Sequence, residues 1–135
     1  MATITKKPGG TRVQALLAEA VAHLQRNETA EGEAVLQQVL GLAPDDAETL
    51  QTLGALRASQ GRFSEAEEHY RRSLSINPDQ PQVLNSLGQV LNHRNRNPEA
   101  IDTFRQAILI KPNFAEGHLN LGLALSYERR HVEAE

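Results

Sequence analysis

The chain has 135 residues, a formal net charge of -3 and no tryptophan or cysteine. It is long enough to bury a core, and its weak acidity argues against nucleic acid as a partner. The absence of cysteine excludes disulfides, thiolate zinc sites and cysteine nucleophiles. No apolar run approaches the length that spans a bilayer, so a membrane is not expected as a partner either.

The first residues, MATITKKPGG, carry two lysines without the apolar stretch of a secretory signal. We expect residues 1–11 to form a flexible polar tail and residues 12–135 to form one domain. Cytoplasmic residence is the default expectation for a chain without such a signal.

A 34-residue period organises the rest of the chain. Pro44, Pro78 and Pro112 recur at this interval. Other positions recur at the same offset: Gly54, Gly88 and Gly122; Ala66, Ala100 and Ala134; Tyr70 and Phe104. A period of this length is typical of proteins built from stacked helical hairpins.

The residues that end helices divide each period into two predicted helices. A proline ends each repeat, and Gly61 and Asn95 stand where a short turn with positive φ would join two helices. No stretch shows the alternation of a strand. In chain order, the predicted helices are 12–26, 29–41, 46–60, 63–76, 80–94, 97–110 and 114–129.

Polar residues at the helix starts predict N-caps. Asp45, followed three residues later by Glu48, has the spacing of a capping box. The equivalent pairs are Thr11 with Gln14, Asp79 with Gln82, and Asn113 with Glu116. The second helices are predicted to open with Thr29, with Ser64 and Glu67, and with Asn97 followed by Pro98 at the first helical position.

Small residues predict how the helices meet. Glycine in mid-helix costs about 1 kcal/mol relative to alanine, so Gly54, Gly88 and Gly122 indicate close contact with a second helix that carries Ala66 or Ala100. Apolar residues are expected to fill the space around these contacts: Leu53, Leu56, Phe63, Tyr70, Leu74 and Ile76, then Leu87, Val90, Leu91, Phe104, Ile108 and Ile110. Because one hairpin cannot bury both of its faces, neighbouring hairpins must stack. The predicted fold class is all-α, a right-handed superhelix (α-solenoid) of antiparallel helix hairpins with a 34-residue period.

These residues carry a family resemblance. The segment AETLQTLGALRASQGRFSEAEEHYRRSLSINPD resembles a tetratricopeptide repeat through Leu50, Leu53, Gly54, Gly61, Phe63, Ala66, Tyr70 and Pro78. The resemblance implies repeats at about 13–46, 47–80 and 81–114 and a partial repeat at 115–135, the first being the most divergent. The pentatricopeptide RNA readers, whose repeat is longer and basic, fit this acidic chain less well.

The last residues, HVEAE, align with FSEAE at 63–67. They are predicted to form the first turn of the second helix of a fourth repeat, and we expect the sequence to be a fragment of a longer protein. The seventh helix would then expose Leu121, Leu125 and Tyr127. We expect this apolar patch to be covered by self-association into a homodimer. The alternative is a monomer whose last helix is frayed.

The sequence contains none of the motifs that indicate a catalytic, metal or phosphate-binding site. The five histidines lack the i, i+4 spacing of a zinc-binding helix, and the carboxylate clusters fit helix starts. There is no nucleophile elbow and no glycine-rich phosphate loop. We therefore predict no metal, no cofactor and no enzymatic activity.

The resemblance implies that function lies on a concave surface formed by the first helix of each pair. The middle of that surface would present neutral side chains that donate and accept hydrogen bonds: Gln51, Asn85, Gln89, Asn92 and His93. We expect them to bind an extended peptide or a partner helix, so the predicted partner is a protein. The alternative is that they are ordinary polar surface residues.

Two binding modes of the resembled family can be compared with these residues. A clamp for an acidic chaperone tail uses Lys, Arg and Asn, but the matching positions hold Leu17, Val21, Thr52, Gln82 and Ser86. A ladder of Asn before each Leu-Gly pair, as in repeat-bearing sugar transferases, is met by Asn120 alone. We therefore expect a protein-interaction scaffold. The alternative is the recruiting region of a larger enzyme, with a sulfotransferase, glycosyltransferase or hydroxylase domain beyond residue 135.

Overall fold

The computed structural model describes residues 10–134, with side chains described for residues 11–132. This part of the chain consists of helices joined by short turns and contains no strand. The helices are α1 (Gly10–Gln25), α2 (Thr29–Leu42), α3 (Ala47–Ser59), α4 (Phe63–Ile76), α5 (Pro81–His93), α6 (Asn97–Ile110) and α7 (Ala115–Ala134). The first six begin and end within two residues of their predicted positions, because proline, glycine and asparagine mark where each helix must stop.

The hairpin turns share one backbone feature. Asn27 and Asn95 both have a φ of 61°, and Gly61 has a φ of 75°. These residues are separated by the 34-residue period, and glycine and asparagine adopt a positive φ at low cost. The turns predicted at Gly61 and Asn95 are confirmed, and Asn27 plays the same part in the first hairpin.

The two ends of the described region differ from the predictions. Gly10 and Thr11, predicted to belong to the polar tail, are part of α1, and residues 1–9 of that tail lie outside the described residues. The break predicted before His131 is wrong, because α7 continues to Ala134. Arg129 occupies the position equivalent to the turn residue Asn95. Because arginine does not favour a positive φ, no turn is encoded there and the helix continues.

The chain divides into two compact units with the boundary after Thr49. In the first unit, α1 and α2 form a hairpin whose apolar faces bury Ala20, Leu36 and Val39 completely. Gly32 of α2 lies against α1: a Cβ added to it would come within 2.8 Å of the Leu24 side chain. The small residue therefore permits the close approach of these two helices.

In the second unit, residues from α4, α5, α6 and α7 bury one continuous core. Its buried members are Ala66, Tyr70, Val83, Leu87, Val90, Leu91, Ala100, Ile101, Phe104 and Ala124. Phe63, Leu74 and Leu121 pack against this core while remaining partly exposed. The predicted burial of Ala66 and Ala100 is confirmed, since both are 0% exposed.

The mid-helix glycines of this unit receive aromatic rings. A Cβ on Gly54 would lie 2.7 Å from Cε1 of Tyr70, and a Cβ on Gly88 would overlap the ring of Phe104. Gly122, one period later, has no such neighbour within 4 Å. The predicted close contact is therefore confirmed at the first two glycines, with a ring rather than a backbone as the contacting group.

Two residues predicted to lie in the core are exposed. Ile76 and Ile110 are each 40% exposed, because both end a helix, where the chain leaves the packed face. Phe114, which follows the second of these helices, is buried together with Leu84 and Ala107. The sequence pattern places the apolar stripe correctly along each helix but extends it one residue too far.

The predicted caps are mostly wrong. Asp46, rather than Asp45, caps α3, with its Oδ2 accepting the backbone N–H of Thr49 at 2.9 Å. The residues that precede α2, α4, α5 and α6 make no side-chain capping hydrogen bond: Glu28, Arg62, Gln80 and Arg96. Thr29, Ser64 and Asn97 lie inside their helices. Because the preceding turn and tertiary packing stabilise these helix starts, a poor capping residue is tolerated there.

Candidate functional site

Two clefts of the second unit open between successive odd-numbered helices. The first, which we call the α3–α5 cleft, has a volume of about 440 Å³. It is lined by Ala58, Phe63, Tyr70, Ser86, Gln89, Val90, Asn92 and His93. The ring of Phe63 stacks on that of His93, with the centroids 4.5 Å apart and the planes 5° from parallel, so an aromatic pair forms one of its walls.

The second, the α5–α7 cleft, has a volume of about 510 Å³. It is lined by Asn92, Asn95, Asn97, Pro98, Leu123, Ala124, Tyr127, Glu128 and His131. Asn97 donates from Nδ2 to the backbone oxygen of Ala124 at 3.1 Å and to Oε2 of Glu128 at 2.9 Å. These bonds tie the start of α6 to the middle of α7 and fix the floor of the cleft.

The two clefts are the same place in consecutive repeats. Moving by one period converts Phe63 into Asn97 and His93 into Tyr127. The aromatic pair of the α3–α5 cleft therefore has no counterpart in the α5–α7 cleft, where a shorter amide replaces one ring.

Asn92 lines both clefts and has an unsatisfied acceptor. Its side-chain Oδ1 is buried and has no hydrogen-bond partner in the described part of the chain. A buried acceptor without a donor costs on the order of 1–3 kcal/mol. Asn92 is therefore a candidate contact residue in both clefts.

The other predicted site residues are distributed differently. Gln89 and His93 are exposed and line the α3–α5 cleft. Asn85 is only 4% exposed, and its Oδ1 accepts a hydrogen bond from Asn120 Nδ2 at 2.9 Å. Gln51 lies away from both clefts, in a hollow of about 320 Å³ that it shares with Gln80 and Lys111. The structure thus brings Gln89, Asn92 and His93 together but not Asn85 or Gln51.

The residues predicted for self-association lie on one helix with different exposure. Leu121 is partly buried against the core, whereas Leu125 and Tyr127 are 40% and 54% exposed. Tyr127 also lines the α5–α7 cleft and stacks beside His131, with ring centroids 5.6 Å apart.

Sequence reasoning misses Asn97 and Glu128 as site residues. Asn97 resembles an N-cap because Pro98 follows it. Its position one period after Phe63 is the signal that could place it in a cleft. Glu128 carries no such signal, because its contact with Asn97 depends on how α7 packs against α6.

The electrostatics of the clefts and of the surface between repeats differ. Burial raises the pKa of the Tyr70 hydroxyl above its usual value, although a hydrogen bond with Ser86 acts in the opposite direction. Outside the clefts, the buried carboxylate of Glu67 binds three guanidinium groups. Its partners are Arg71 at 2.8 Å, Arg94 at 2.7 Å and Arg96 at 2.7 Å.

Metal-binding and membrane-spanning features are both missing from the described residues. This part of the chain has no group of three or more His, Cys, Asp or Glu placed to hold a metal ion. None of its helices combines the length and the hydropathy that crossing a bilayer requires.

Comparison with known proteins identifies the repeat. Residues 52–117 match the family model of the tetratricopeptide repeat. This segment therefore consists of tetratricopeptide repeats. Their helix pairs coincide with the hairpins described above, and the predicted all-α fold of stacked helix hairpins is confirmed by solved structures of this family.

Three solved tetratricopeptide structures show the extent of the likeness. A mutant of Thermobaculum terrenum O-GlcNAc transferase is 27% identical, with a TM-score of 0.81 over 92% of this chain and 24% of that chain. MamA from AMB-1 is 26% identical, with a TM-score of 0.75 over 90% of this chain and 67% of that one. The first TPR of Spaghetti (RPAP3), bound to the HSP90 peptide SRMEEVD, is 12% identical, with a TM-score of 0.83 over 88% of this chain and 94% of that one.

The chain spans about a quarter of the transferase chain that it resembles. Among curated protein sequences, none matches this one. The fold is that of a protein–protein interaction scaffold, and its likeness at these identities gives the architecture of the repeats rather than a ligand.

Proposed function

We propose that this chain is a cytoplasmic, non-catalytic scaffold that binds an extended peptide or a partner helix along the α3–α5 and α5–α7 clefts. The observation that carries the proposal is Asn92, which lines both clefts and whose buried Oδ1 has no hydrogen-bond partner in the described part of the chain. An extended peptide offers backbone N–H groups along its length, and a rotation of the Asn92 side chain would bring this acceptor to one of them. Gln89 and His93 would supply further donors and acceptors in the first cleft.

The repeats support a peptide rather than a small molecule. Two equivalent clefts that share one residue suit a ligand with its own regular spacing, as an extended chain has. The Spaghetti (RPAP3) structure holds a peptide on the same fold. That peptide is acidic, whereas the positions here that match the chaperone-tail clamp hold no Lys or Arg. We therefore propose a peptide of a different chemistry for this chain.

To test this function, peptides that bind the chain are selected from a random library of displayed dodecapeptides. Calorimetry then measures the affinity of each selected peptide. Replacing Asn92 with Ala should weaken their binding roughly tenfold, because one hydrogen bond of about 1–1.5 kcal/mol is lost. The matched control is Asn113→Ala, which removes an exposed amide outside both clefts. Peptides that bind equally well to the wild type and the Asn92→Ala variant would contradict the proposed site.

The alternative function, recruitment for an enzyme domain, is not proposed. The likeness to O-GlcNAc transferase covers 24% of that protein and concerns its repeats. Nothing in the described residues favours that function over an interaction scaffold.

We also propose that α7 mediates self-association with a second copy of the chain. Large apolar side chains are exposed along it: Leu119, Leu123, Leu125, Tyr127 and Val132. The space beside Gly122 is open, whereas an aromatic ring fills the equivalent space beside Gly54 and Gly88. A helix from a second copy would cover this face and bury the exposed leucines, at about 25 cal/mol per Å² of apolar surface.

Light scattering across a concentration series tests self-association. The Leu125→Glu change should convert a dimer to a monomer, because it places a charge in the apolar contact. Leu109→Glu is the matched control, since Leu109 is 81% exposed on α6 rather than on α7. A wild-type chain that stays monomeric at all concentrations, or a dimer lost equally in both variants, would rule out the α7 contact.

A further inference from the structure

The α5–α7 cleft contains the carboxylate of Glu128 and no Lys or Arg side chain. Asn92 also lines it, with a buried Oδ1 that has no hydrogen-bond partner among the described residues. Glu128 accepts a hydrogen bond from Asn97, and a carboxylate can accept several. The neighbouring Arg129 and Arg130 do not line the cleft. A ligand group that fits here must therefore bring donors and is favoured by positive charge.

The α5–α7 cleft has no ring at the position that Phe63 occupies in the α3–α5 cleft. In the α3–α5 cleft, the ring of Phe63 stacks on His93 at 4.5 Å. In the α5–α7 cleft, the equivalent positions are Asn97 and Tyr127, and Tyr127 stacks instead beside His131, with the ring centroids 5.6 Å apart. Tyr127 is still 54% exposed and has surface available for a further stacked group. A planar group from a ligand would take the place of the Phe63 ring.

We propose that the α5–α7 cleft binds an arginine side chain of the partner protein. The guanidinium is planar, carries five N–H donors and stacks on aromatic rings. It would lie against Tyr127 and donate to the carboxylate of Glu128, next to Asn92. This inference rests on the proposed function, since it assigns a residue type to one position of the bound peptide.

Short capped peptides of the form Ac-Ala-Ala-X-Ala-Ala-NH2, with X as arginine, citrulline, lysine, phenylalanine or alanine, test this assignment. They are titrated into the isotope-labelled chain, and the NMR signals of the Asn92 and Asn97 side-chain amides and of the Tyr127 ring are followed. The arginine peptide should shift these signals and bind roughly tenfold more tightly than the citrulline peptide. Citrulline keeps the planar shape but loses the charge, so this ratio measures the charge-assisted hydrogen bonds.

Variants of the chain separate the contacts. Glu128→Gln should abolish the preference for arginine over citrulline. Glu116→Gln, which makes the same change of charge on the same helix outside the cleft, should leave that preference intact. Asn97→Phe should fill the cleft as Phe63 does in the other repeat and prevent binding. Since that change also removes two hydrogen bonds and could impair folding, Tyr127→Ala provides a second test, with at least a several-fold loss of affinity expected.

The outcomes distinguish this assignment from the proposed function. A lysine or phenylalanine peptide that binds as tightly as the arginine peptide overturns the assignment. Shifts confined to Gln89 and His93 in the α3–α5 cleft, equal for all peptides, also overturn it while supporting the proposed function. If no peptide of this set or of the selected library shifts a cleft signal, the assignment and the proposed function are both wrong.

Discussion

Single residues of the second unit decide how closely its helices approach. The rings of Tyr70 and Phe104 pack against Gly54 and Gly88. Tyr70 and Phe104 are each at most 2% exposed. Ala66 and Ala100 lie one helical turn before these rings on the same helices. Small side chains on both partners therefore let a large ring fill the space between them, which is how an interior with few aromatics reaches a high packing density.

Replacing Gly88 with Ala should destabilise the chain although alanine is the better helix former. The new Cβ would overlap the Phe104 ring, and overpacking of this kind costs roughly 1–3 kcal/mol. At Gly122, one period later, no atom lies within 4 Å of a new Cβ. Gly122→Ala should therefore stabilise by up to about 1 kcal/mol. Thermal melts of the pair check this: equal effects of the two changes would contradict the packing.

The alanine on the facing helix should be equally sensitive. Ala100 is 0% exposed, so Ala100→Leu should overpack the core and cost roughly 1–3 kcal/mol in the free energy of unfolding. Ala55→Leu is the control, because Ala55 is exposed on α3. Chemical denaturation measures both, and an Ala100→Leu variant as stable as the control would show that the contact is looser than described.

At the scale of elements, one ionic network joins α4 to the turn between α5 and α6. Glu67 of α4 is 8% exposed and binds Arg94 and Arg96 on either side of that turn. Arg96 also binds Glu99 at 2.8 Å. Moving one period later places Ile101 at the position of Glu67, so this carboxylate is not repeated there.

This network predicts a loss of stability in acid. Burial acts to raise the pKa of Glu67, but the hydrogen bonds from Arg71, Arg94 and Arg96 lower it by more than burial raises it. The pKa of Glu67 therefore lies below its usual value. A carboxylate whose pKa is lower in the folded state contributes stability above its unfolded pKa of about 4.3. That contribution is lost as the pH falls through the folded value.

Glu67→Gln should therefore be destabilising at pH 7, by about 1–3 kcal/mol, and progressively less so as the pH falls below about 5. Glu68→Gln, an exposed change at the next residue, serves as the control and should have little effect at either pH. Urea titrations at several pH values measure the difference. A deficit of Glu67→Gln that stays constant from neutral pH to pH 3 would show that the ionised carboxylate is not what stabilises the junction.

At the scale of the whole molecule, the chain divides into two compact units after Thr49, and we expect the two units to open with different free energies. Repeat proteins open segment by segment, because each repeat contacts its neighbours alone. In the second unit, α5 packs against α4, α6 and α7, whereas the last turns of α7 are exposed. Stability should therefore be highest around α5 and α6 and fall toward the end of α7.

Native-state hydrogen exchange should resolve these differences. The amides of Leu91 and Phe104, both 0% exposed, should exchange most slowly. Those near Arg130 and Val132 should exchange fastest among the helical residues of the second unit, and the amides of α1 and α2 should form a group with its own opening free energy. A single opening free energy for all protected amides would instead indicate one cooperative unit.

The sequence alone determined the helices and their order. The 34-residue offset, the prolines and the turn-forming Gly61 and Asn95 predict six of the described helices to within two residues. The same offset predicts the burial of Ala66 and Ala100. These features are local or periodic, so they can be read without knowing which surfaces meet. The limit of this reasoning is the C-terminal stretch, where alignment by period suggests a turn that Arg129 does not form.

Tertiary packing alone decided which polar residues are available to a ligand. Asn85, Gln89 and Asn92 share one helix and look alike in sequence, yet the structure gives them different settings. Asn85 is bonded to Asn120, Gln89 is exposed, and Asn92 has a buried acceptor that no donor of the described residues reaches. Asn97 and Glu128 come together in the same way, although they are far apart in the chain. An amide has the same donors and acceptors in every setting, so its role is fixed by the partner that packing places beside it.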